Sequence, residues 1–385
     1  MRTEPNFLRL LGATGFAVAM AAPAFALPTM IRIGYSECAS CHISPQGGGP
    51  LNTYGRGIDK AQSLVAGDYQ PSDDGFVRAL NLNGRITHDL RAVAQGQARW
   101  VDDDRSPGSF RPRILYRNAS DLGHGLRVSA VVTADGERAP RPALHYDPLT
   151  QPSSVFVNTA LVHYRIGKTW EIAAGRDQLP SGVNVPDLGL FIKSRNRLGY
   201  YDAPSQLKMF WWSRRHAFTP FLYGPGGNEL PGEDESGGGG LYEFDPIGAQ
   251  RAKLGVTFLR GTAAHGDRQM VGAYARLGFG KWGILAEHDV TDRTRKAPDP
   301  VTFRQNASYG QIFWATREWL VASLIGERLH VGAPFAQHLV AGRLEVAARL
   351  TNQATIVANT RVERDMATGR LSKSVGFQVA LKTID

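Results

Sequence analysis

The sequence predicts an all-β fold, an antiparallel β-barrel of about 16 strands, and two features of its pattern carry this prediction. The first is a period-2 alternation of apolar and polar residues that begins near Ala79. In "RALNLNGRITHDLRAVAQ", for example, Leu80, Leu82, Ile86 and Leu90 share one face, and the residues between them are mostly polar. Roughly 14 to 16 segments of about ten residues repeat the pattern, and ten residues is the length of a tilted transmembrane strand.

The second feature is the alternation of short and long connections. Short ones such as "GFGKW" alternate with long polar ones, such as residues 135–153 and 224–250. Outer-membrane barrels have short turns at one end and long loops at the other, with aromatic girdles near the strand ends. Alternation alone also fits a large soluble all-β domain. Uniform strand lengths and polar faces rich in Arg and Gly favour the membrane barrel.

The first 26 residues have the features of a cleaved secretory signal peptide. A basic start precedes an apolar run from Leu10 to Ala22, and Ala24 and Ala26 form an A-x-A cleavage site. A membrane-spanning helix is the alternative, but it needs about 20 apolar residues and this run is shorter. We therefore predict export of a mature chain that begins near Leu27.

The charge of the chain does not indicate nucleic-acid binding. The 44 basic and 35 acidic residues give a net charge of +9. The basic residues are spread along the strands and form no tracts, so we expect them to lie in the lumen or on the surface.

Both cysteines lie in one C-x-x-C-H motif, formed by Cys38, Cys41 and His42. Two thiols three positions apart match the attachment points of one haem, and the adjacent histidine is placed to ligate the iron. A zinc site would need four N or S ligands, and a thioredoxin-like site would need a βαβ context; the sequence has neither. The motif therefore predicts one covalently attached haem c, with His42 as an axial ligand of the iron.

The segment around the motif is too short to enclose a haem, because fewer than about 50 residues cannot build an independent core around it. A barrel of about 16 strands has a lumen wide enough for a plug. In "GGGPLNTYGRGIDKAQSLV" (47–65) we predict a helical stem that packs on the haem edge, with Leu51, Tyr54, Ile58 and Leu64 on one face. A plain tether is the alternative.

The stretch 173–212 contains an insert without a strand pattern. It carries Lys193, Arg195 and Arg197 between two good strand patterns. The insert is either a constriction loop that folds toward the haem or an ordinary long loop, and the sequence favours neither.

The sequence does not determine the sixth ligand of the iron. Met30 is a candidate by position, as the one methionine of the mature chain ahead of the barrel. His88 shares its parity with apolar, lipid-facing residues, which argues against it. Met209 shares its parity with Leu207 and Trp211, which is ambiguous.

The export signal, the single C-x-x-C-H motif, the "LNTYGR" stem and the porin-length run of strands resemble the outer-membrane monohaem cytochrome-porin fusions of iron-oxidising bacteria. The resemblance covers the whole chain, and its specific part is the haem motif at Cys38, Cys41 and His42. It implies a protein that takes electrons from an extracellular donor, chiefly ferrous iron, and passes them through the haem to periplasmic carriers.

These predictions divide the chain into a signal peptide (1–26), a c-type haem-binding segment or plug (27–76) and a porin-like outer-membrane β-barrel (77–385). The predicted function is electron transfer across the outer membrane from a donor such as Fe(II) to a periplasmic carrier such as a cytochrome c. Such an electron-transfer cytochrome could also have an Fe(II)-oxidising activity, and no conventional catalytic residues are predicted. The alternatives are an anion-selective porin with a structural or sensory haem plug, and a small haem oxidase or peroxidase.

Overall fold

A computed structural model describes most of the chain after residue 27. The described residues are 28–35, 37–47, 50–65, 86–136, 140–142, 148–150, 154–185, 187, 189–199, 202–226, 234–248, 251–296 and 299–383. The predicted signal peptide and the predicted boundary between residues 76 and 77 lie outside them. No helix among the described residues is long and apolar enough to cross a membrane.

Sixteen antiparallel strands form a closed barrel, in which the first strand pairs with the last. This architecture confirms the predicted fold class. Two further short strands, β4 and β5, pair only with each other. The strands are β1 Ile86–Val101, β2 Asp104–Gly123, β3 Leu126–Asp135, β4 Pro140–Pro142, β5 Pro148–Thr150, β6 Val155–Ile166, β7 Trp170–Arg176, β8 Ser205–Trp212, β9 His216–Gly224, β10 Ser236–Phe244, β11 Ala252–Thr262, β12 Gly266–Phe279, β13 Trp282–Arg295, β14 Val301–Arg317, β15 Leu320–Val331, β16 Gln337–Arg349, β17 Ala354–Asp365 and β18 Leu371–Thr383.

The helical elements are short. They are a 3₁₀ helix at Pro28–Ile33, a 3₁₀ turn at Cys38–Ser40, helix α1 at Thr53–Ala61 and helix α2 at Phe191–Ser194.

The period-2 pattern places apolar side chains on the outside of the barrel. In β11, for example, Val256 and Phe258 are 51% and 46% exposed, whereas Thr257 and Leu259 point inward and are buried. Trp282 stacks on Trp314 with ring centroids 5.4 Å apart, and both rings are exposed. An apolar outer surface with aromatic pairs near the strand ends is the surface that a bilayer covers.

The two ends of the barrel differ. We call one the short-turn end, formed by the turns that follow β2, β6, β8, β10, β12, β14 and β16. The opposite, long-loop end carries the longest described connection, residues 177–204 between β7 and β8. Strand polarity fixes these ends, because consecutive strands are antiparallel.

Residues 177–204, which we call the lumen loop, fold into the barrel and do not project from it. Leu190, Phe191 and Ile192 are buried against inward side chains of β12 to β16. This placement supports the constriction-loop hypothesis for the insert. The contacting wall residues include Tyr274, Leu285, Phe303, Phe313, Ile325 and Leu329.

Carboxylates on the barrel wall accept hydrogen bonds from the lumen loop. The backbone N–H of Phe191 donates to Glu327 (2.8 Å), and the backbone N–H of Val183 donates to Glu287 (2.7 Å). Buried backbone donors require such partners. The lumen loop is therefore fixed in place by both polar and apolar contacts.

An ion pair adds to this attachment, because Asp187 of the lumen loop pairs with Arg343 of β16. Burial acts to raise the pKa of Asp187, but the Arg343 guanidinium outweighs it and the pKa is lowered. Asp187 thus stays ionised at neutral pH, and the pair stabilises the loop until the pH falls through that lowered pKa.

We expect Phe191→Asp to open the β12–β16 half of the lumen. The new carboxylate would lie in an apolar cluster, and an isolated buried charge costs several kcal/mol. Single-channel conductance in a planar bilayer should rise clearly above that of the native chain, whereas Phe191→Leu should leave it unchanged. Equal conductance of all three proteins would show that the loop does not block the lumen.

Candidate haem site

The C-x-x-C-H motif forms one tight turn inside the barrel. The backbone N–H groups of Cys41 and His42 both donate to the carbonyl of Cys38, at 3.1 and 2.9 Å. Both cysteines are free, with no disulfide between them. The turn places Cys38, Cys41 and His42 on the lining of one cavity.

Helix α1 is attached to this turn through its N-cap residue. The side-chain oxygen of Asn52 accepts from the N–H of Gly55 (2.8 Å), and the Asn52 amide donates to the carbonyl of Ser40 (3.2 Å). The backbone N–H of Asn52 also donates to Cys41 O (2.9 Å). One asparagine of "LNTYGR" therefore caps the helix and holds the motif against it.

Two glycines allow close packing around the cysteines. Gly55 lies against the carbonyl of Cys41, and a Cβ there would overlap it. Gly47 has a φ of +84°, which favours glycine, and a Cβ at this position would lie 3.0 Å from Cys38 Sγ. The glycines near the motif thus serve its geometry.

The cavity has a volume of about 310 Å³ and lies between the N-terminal segment and the barrel wall. Its segment side includes Met30, Tyr35, Leu51 and Ile58 in addition to the motif. Its wall side is formed mainly by β1, β2, β3, β17 and β18, and combines apolar with basic residues. The wall residues include Arg91, Val93, Arg113, Leu115, Arg117, Val131, Arg349, Ala380 and Lys382.

These residues fit a c-type haem. Two thiols and an imidazole share one wall, apolar side chains suit the macrocycle, and the guanidinium groups suit its carboxylates. Burial raises the pKa of the Cys38 thiol, although the Arg276 guanidinium lies 3.9 Å away and acts to lower it. Burial and the nearby Cys38 raise the pKa of Cys41. Both thiols are therefore protonated at neutral pH.

Charged contacts anchor the N-terminal segment to several strands. Glu37 pairs with the buried Lys253 of β11. Asp59 pairs with Arg349 of β16 (2.7 Å) and lies 3.7 Å from Lys382 of β18. The segment is therefore joined to opposite sides of the lumen wall.

Gln46 provides a further anchor beside the motif. Lys208 of β8, itself buried and paired with Asp177 (2.6 Å), donates to the Gln46 side chain (2.8 Å). Asn184 of the lumen loop donates to the Gln46 carbonyl (2.8 Å). The lumen loop thus contacts the haem-motif segment directly.

The last anchors lie at the short-turn end. Arg32 pairs with Glu318 in the turn after β14, and this hydrogen bond lowers the pKa of Glu318. The backbone N–H groups of Leu64 and Val65 donate to the carbonyls of Arg349 and Leu350, at 2.9 and 3.0 Å. The segment therefore lies at this end of the lumen.

The structure separates the three candidates for the sixth ligand. Met30 lines the same cavity as His42. His88 contacts the Tyr116 hydroxyl at 2.5 Å, on the outward face of β1. Met209 is 37% exposed on the outward face of β8. Of these candidates, only Met30 lies beside the motif.

Thr53–Ala61 is helical, as the stem prediction expects, but Leu51 and Leu64 lie outside this helix. Leu51 and Ile58 line the cavity, whereas Tyr54 and Leu64 do not share that face. Those two are 52% and 48% exposed. Leu64 follows the end of α1 at Ala61, so helical spacing does not apply to it, and the Tyr54 hydroxyl hydrogen-bonds with that of Tyr35.

Sequence reasoning missed the wall residues that hold the segment, chiefly Lys208, Lys253 and Arg276. Strand parity marks them as inward-facing, but it does not indicate which of the many basic residues meet the plug. Among the residues that the structure describes, no group of three or more His, Cys, Asp or Glu side chains is arranged to hold a metal ion.

Solved structures of outer-membrane proteins are similar to this chain over most of its length. An anion-selective porin from Comamonas acidovorans is 11% identical with a TM-score of 0.55, and the match covers 77% of this chain and all of that one (100%). OprB of Pseudomonas putida, in its high-pH structure, is 10% identical with a TM-score of 0.57, covering 80% and 97%. OmpT of Vibrio cholerae is 9% identical with a TM-score of 0.54, covering 78% and 98%.

The chain has a porin-like fold. No protein-family model matches the sequence, and no curated protein matches it either. At identities near 10% the likeness establishes the fold alone.

We expect Gly55→Ala to loosen the N-terminal segment, because its Cβ would overlap the Cys41 carbonyl. Limited trypsin digestion of the protein in detergent should then cut faster at Arg56 and Lys60. Gly57→Ala is the matched control on the same helix. Its Cβ meets no atom within 4 Å, so it should slow cleavage or leave it unchanged, since alanine favours a helix over glycine by up to about 1 kcal/mol. Equal digestion of both variants would contradict the packing described for Gly55.

Proposed function

We propose that this chain is an outer-membrane protein that binds one haem c in the lumen of a porin-like barrel and transfers electrons through it. The observation that carries the proposal is the position of Cys38, Cys41 and His42 on one cavity inside the ring of strands. Cys38 and Cys41 would hold the macrocycle, and His42 would ligate the iron.

The barrel supports the proposed location. Its outer face is apolar, with an exposed tryptophan pair at Trp282–Trp314 and a second pair in which Trp170 is exposed and Trp211 is half-buried. Residues 1–26 would be the signal peptide that directs export. Porins enter the outer membrane with their short turns on the periplasmic side, so the segment would lie at the periplasmic end of the lumen.

The proposed direction of electron flow is from an extracellular donor such as Fe(II) to a periplasmic carrier such as a cytochrome c. A bound haem would supply a one-electron couple of its iron. The chain's own residues orient the motif through Asn52, exclude water through Ile31 and the lumen loop, and provide arginines for the haem carboxylates. A bilayer and a protein wall do not conduct electrons. Electron transfer across the membrane therefore requires a redox centre inside the barrel.

Met30 is the proposed sixth ligand. It lines the cavity, and a thioether raises the reduction potential of a haem relative to a second histidine. A high potential suits Fe(II) as a donor.

An anion-selective porin with a structural or sensory haem plug is the second candidate. The likeness to porins, one of them anion-selective, favours it over electron transfer. The basic cavity wall, with Arg91, Arg113 and Arg117, agrees with it. The apolar cluster between the lumen loop and the wall counts against an open channel.

Anaerobic addition of Fe(II) to the oxidised, purified protein tests the first candidate. The haem absorption bands should shift to the reduced form within seconds. His42→Ala should abolish this reduction, and His330→Ala, on the outer face at the long-loop end, should not. A haem that stays oxidised, together with a large anion conductance of the same preparation, would establish the second candidate instead.

Met30→Ala should remove the far-red charge-transfer band that methionine gives to ferric haem and should lower the reduction potential. Met209→Ala is the control, because its side chain lies on the outer face of β8. Absorption spectra and potentiometric titration measure both effects. An unchanged spectrum in Met30→Ala would exclude Met30 as the ligand.

A further inference from the structure

The short-turn end of the barrel carries exposed basic residues on several of its turns. They are Lys168 after β6, Arg214 and Arg215 after β8, Lys281 after β12, and Arg317 at the end of β14. Among the described residues, none of these five forms an ion pair. Their charges are therefore available to a partner.

The carboxylates at this end are mostly occupied. Glu318 pairs with Arg32, and Asp59 pairs with Arg349. Asp245 is buried and accepts from the N–H groups of Ile247 (3.0 Å) and Gly248 (2.7 Å). Asp121, near the end of β2, is exposed and accepts from the N–H of Gly123 (2.9 Å). Among the described residues of this end, the exposed basic side chains without an ion pair therefore outnumber the exposed carboxylates without one.

Carboxylates in a turn of the long-loop end are paired with basic residues. Asp103 pairs with Lys373 (2.7 Å), and Asp102 lies 3.8 Å from Arg370. Exposed basic residues lie at this end as well, among them Arg364. The long-loop end therefore supplies a matched control for the short-turn end.

Apolar side chains of the N-terminal segment lie inside this basic rim. Ile33, Tyr54 and Val65 are 37%, 52% and 58% exposed. Val65 bridges Thr351 in the turn after β16, which places it at the short-turn end. Tyr54 hydrogen-bonds to Tyr35, and Tyr35 lines the haem cavity. A surface aromatic residue is therefore linked to the cavity through one contact.

We propose that the short-turn face, formed by Ile33, Tyr54 and Val65 and the five basic residues around them, is the docking site for a small acidic redox protein. The inference rests on the proposed function, because it names the charge class of the carrier that exchanges electrons with the haem. Electron-transfer encounters use small interfaces, and complementary charges raise their association rates.

Anionic lipid headgroups are the other possible occupants of basic turns, but they surround the barrel and do not enter it. Ile33, Tyr54 and Val65 belong to a segment enclosed by the strands, so lipid would leave these apolar groups uncovered. A protein that spans the mouth would cover both the rim and its centre.

Binding of labelled flavodoxin, a small acidic redox protein, tests the proposal. The full haem-loaded chain would be held in nanodiscs of phosphatidylcholine, which carry no net charge. At low salt flavodoxin should bind at least about tenfold more tightly than a basic mitochondrial cytochrome c, and its affinity should fall about tenfold or more as salt rises to physiological strength.

Arg214→Glu/Arg215→Glu should weaken flavodoxin binding by about tenfold or more. Arg364→Glu/Arg370→Glu makes the same charge change at the long-loop end and should alter binding less than about twofold. Tyr54→Ala should weaken binding without changing its salt dependence.

Equal binding of the two probes, or equal losses in the two double variants, would overturn the proposal. So would an effect of Arg214→Glu/Arg215→Glu confined to nanodiscs that contain phosphatidylglycerol, which would assign the rim to lipid. These outcomes differ from a failure of the proposed function. If the chain binds flavodoxin selectively but Fe(II) does not reduce its haem, the docking site is supported and Fe(II) is rejected as the donor. If Fe(II) reduces the haem but flavodoxin does not bind selectively, Fe(II) is supported as the donor and the docking site is rejected.

Discussion

The width of the barrel is the constraint on which the rest of the structure depends. Sixteen strands enclose a lumen that their own side chains cannot fill. Two segments of the same chain occupy it: the lumen loop on the β12–β16 side, and the N-terminal segment with its cavity on the side of β1 to β3 and β18. The filled lumen provides the walls that a segment of this length cannot build for itself.

Charge pairing determines how the N-terminal segment sits. Three of its contacts with the wall are ion pairs, from Glu37 to Lys253, Arg32 to Glu318 and Asp59 to Arg349. A buried charge without its partner is costly, so these pairs select one placement among many that apolar contacts alone would allow. Ile31, nearly inaccessible, packs between them against β12 and the lumen loop. The position of the C-x-x-C-H motif follows from these pairs.

Much of the fold could be predicted from the sequence. The alternation of apolar and polar residues along a strand is a local pattern, so it can be recognised without knowing which strands pair. It identified about 16 strands and the outward face of His88. The cysteine motif was equally local. The wall residues Lys208, Lys253 and Arg276 could not be predicted, since strand parity gives their face but not their distance from the plug. Tyr54 was misplaced because helical spacing alone does not show which side of α1 faces the cavity, and the packing of Gly55 on the Cys41 carbonyl is a tertiary contact.

The central claim is that Cys38 and Cys41 hold one haem covalently inside this barrel. Intact mass spectrometry of the chain purified from outer membranes tests it most directly, because a thioether-linked haem survives denaturation. The account predicts the mass of the mature chain plus one haem, and the unmodified mass for Cys38→Ala/Cys41→Ala. A native chain that carries no added haem would contradict it.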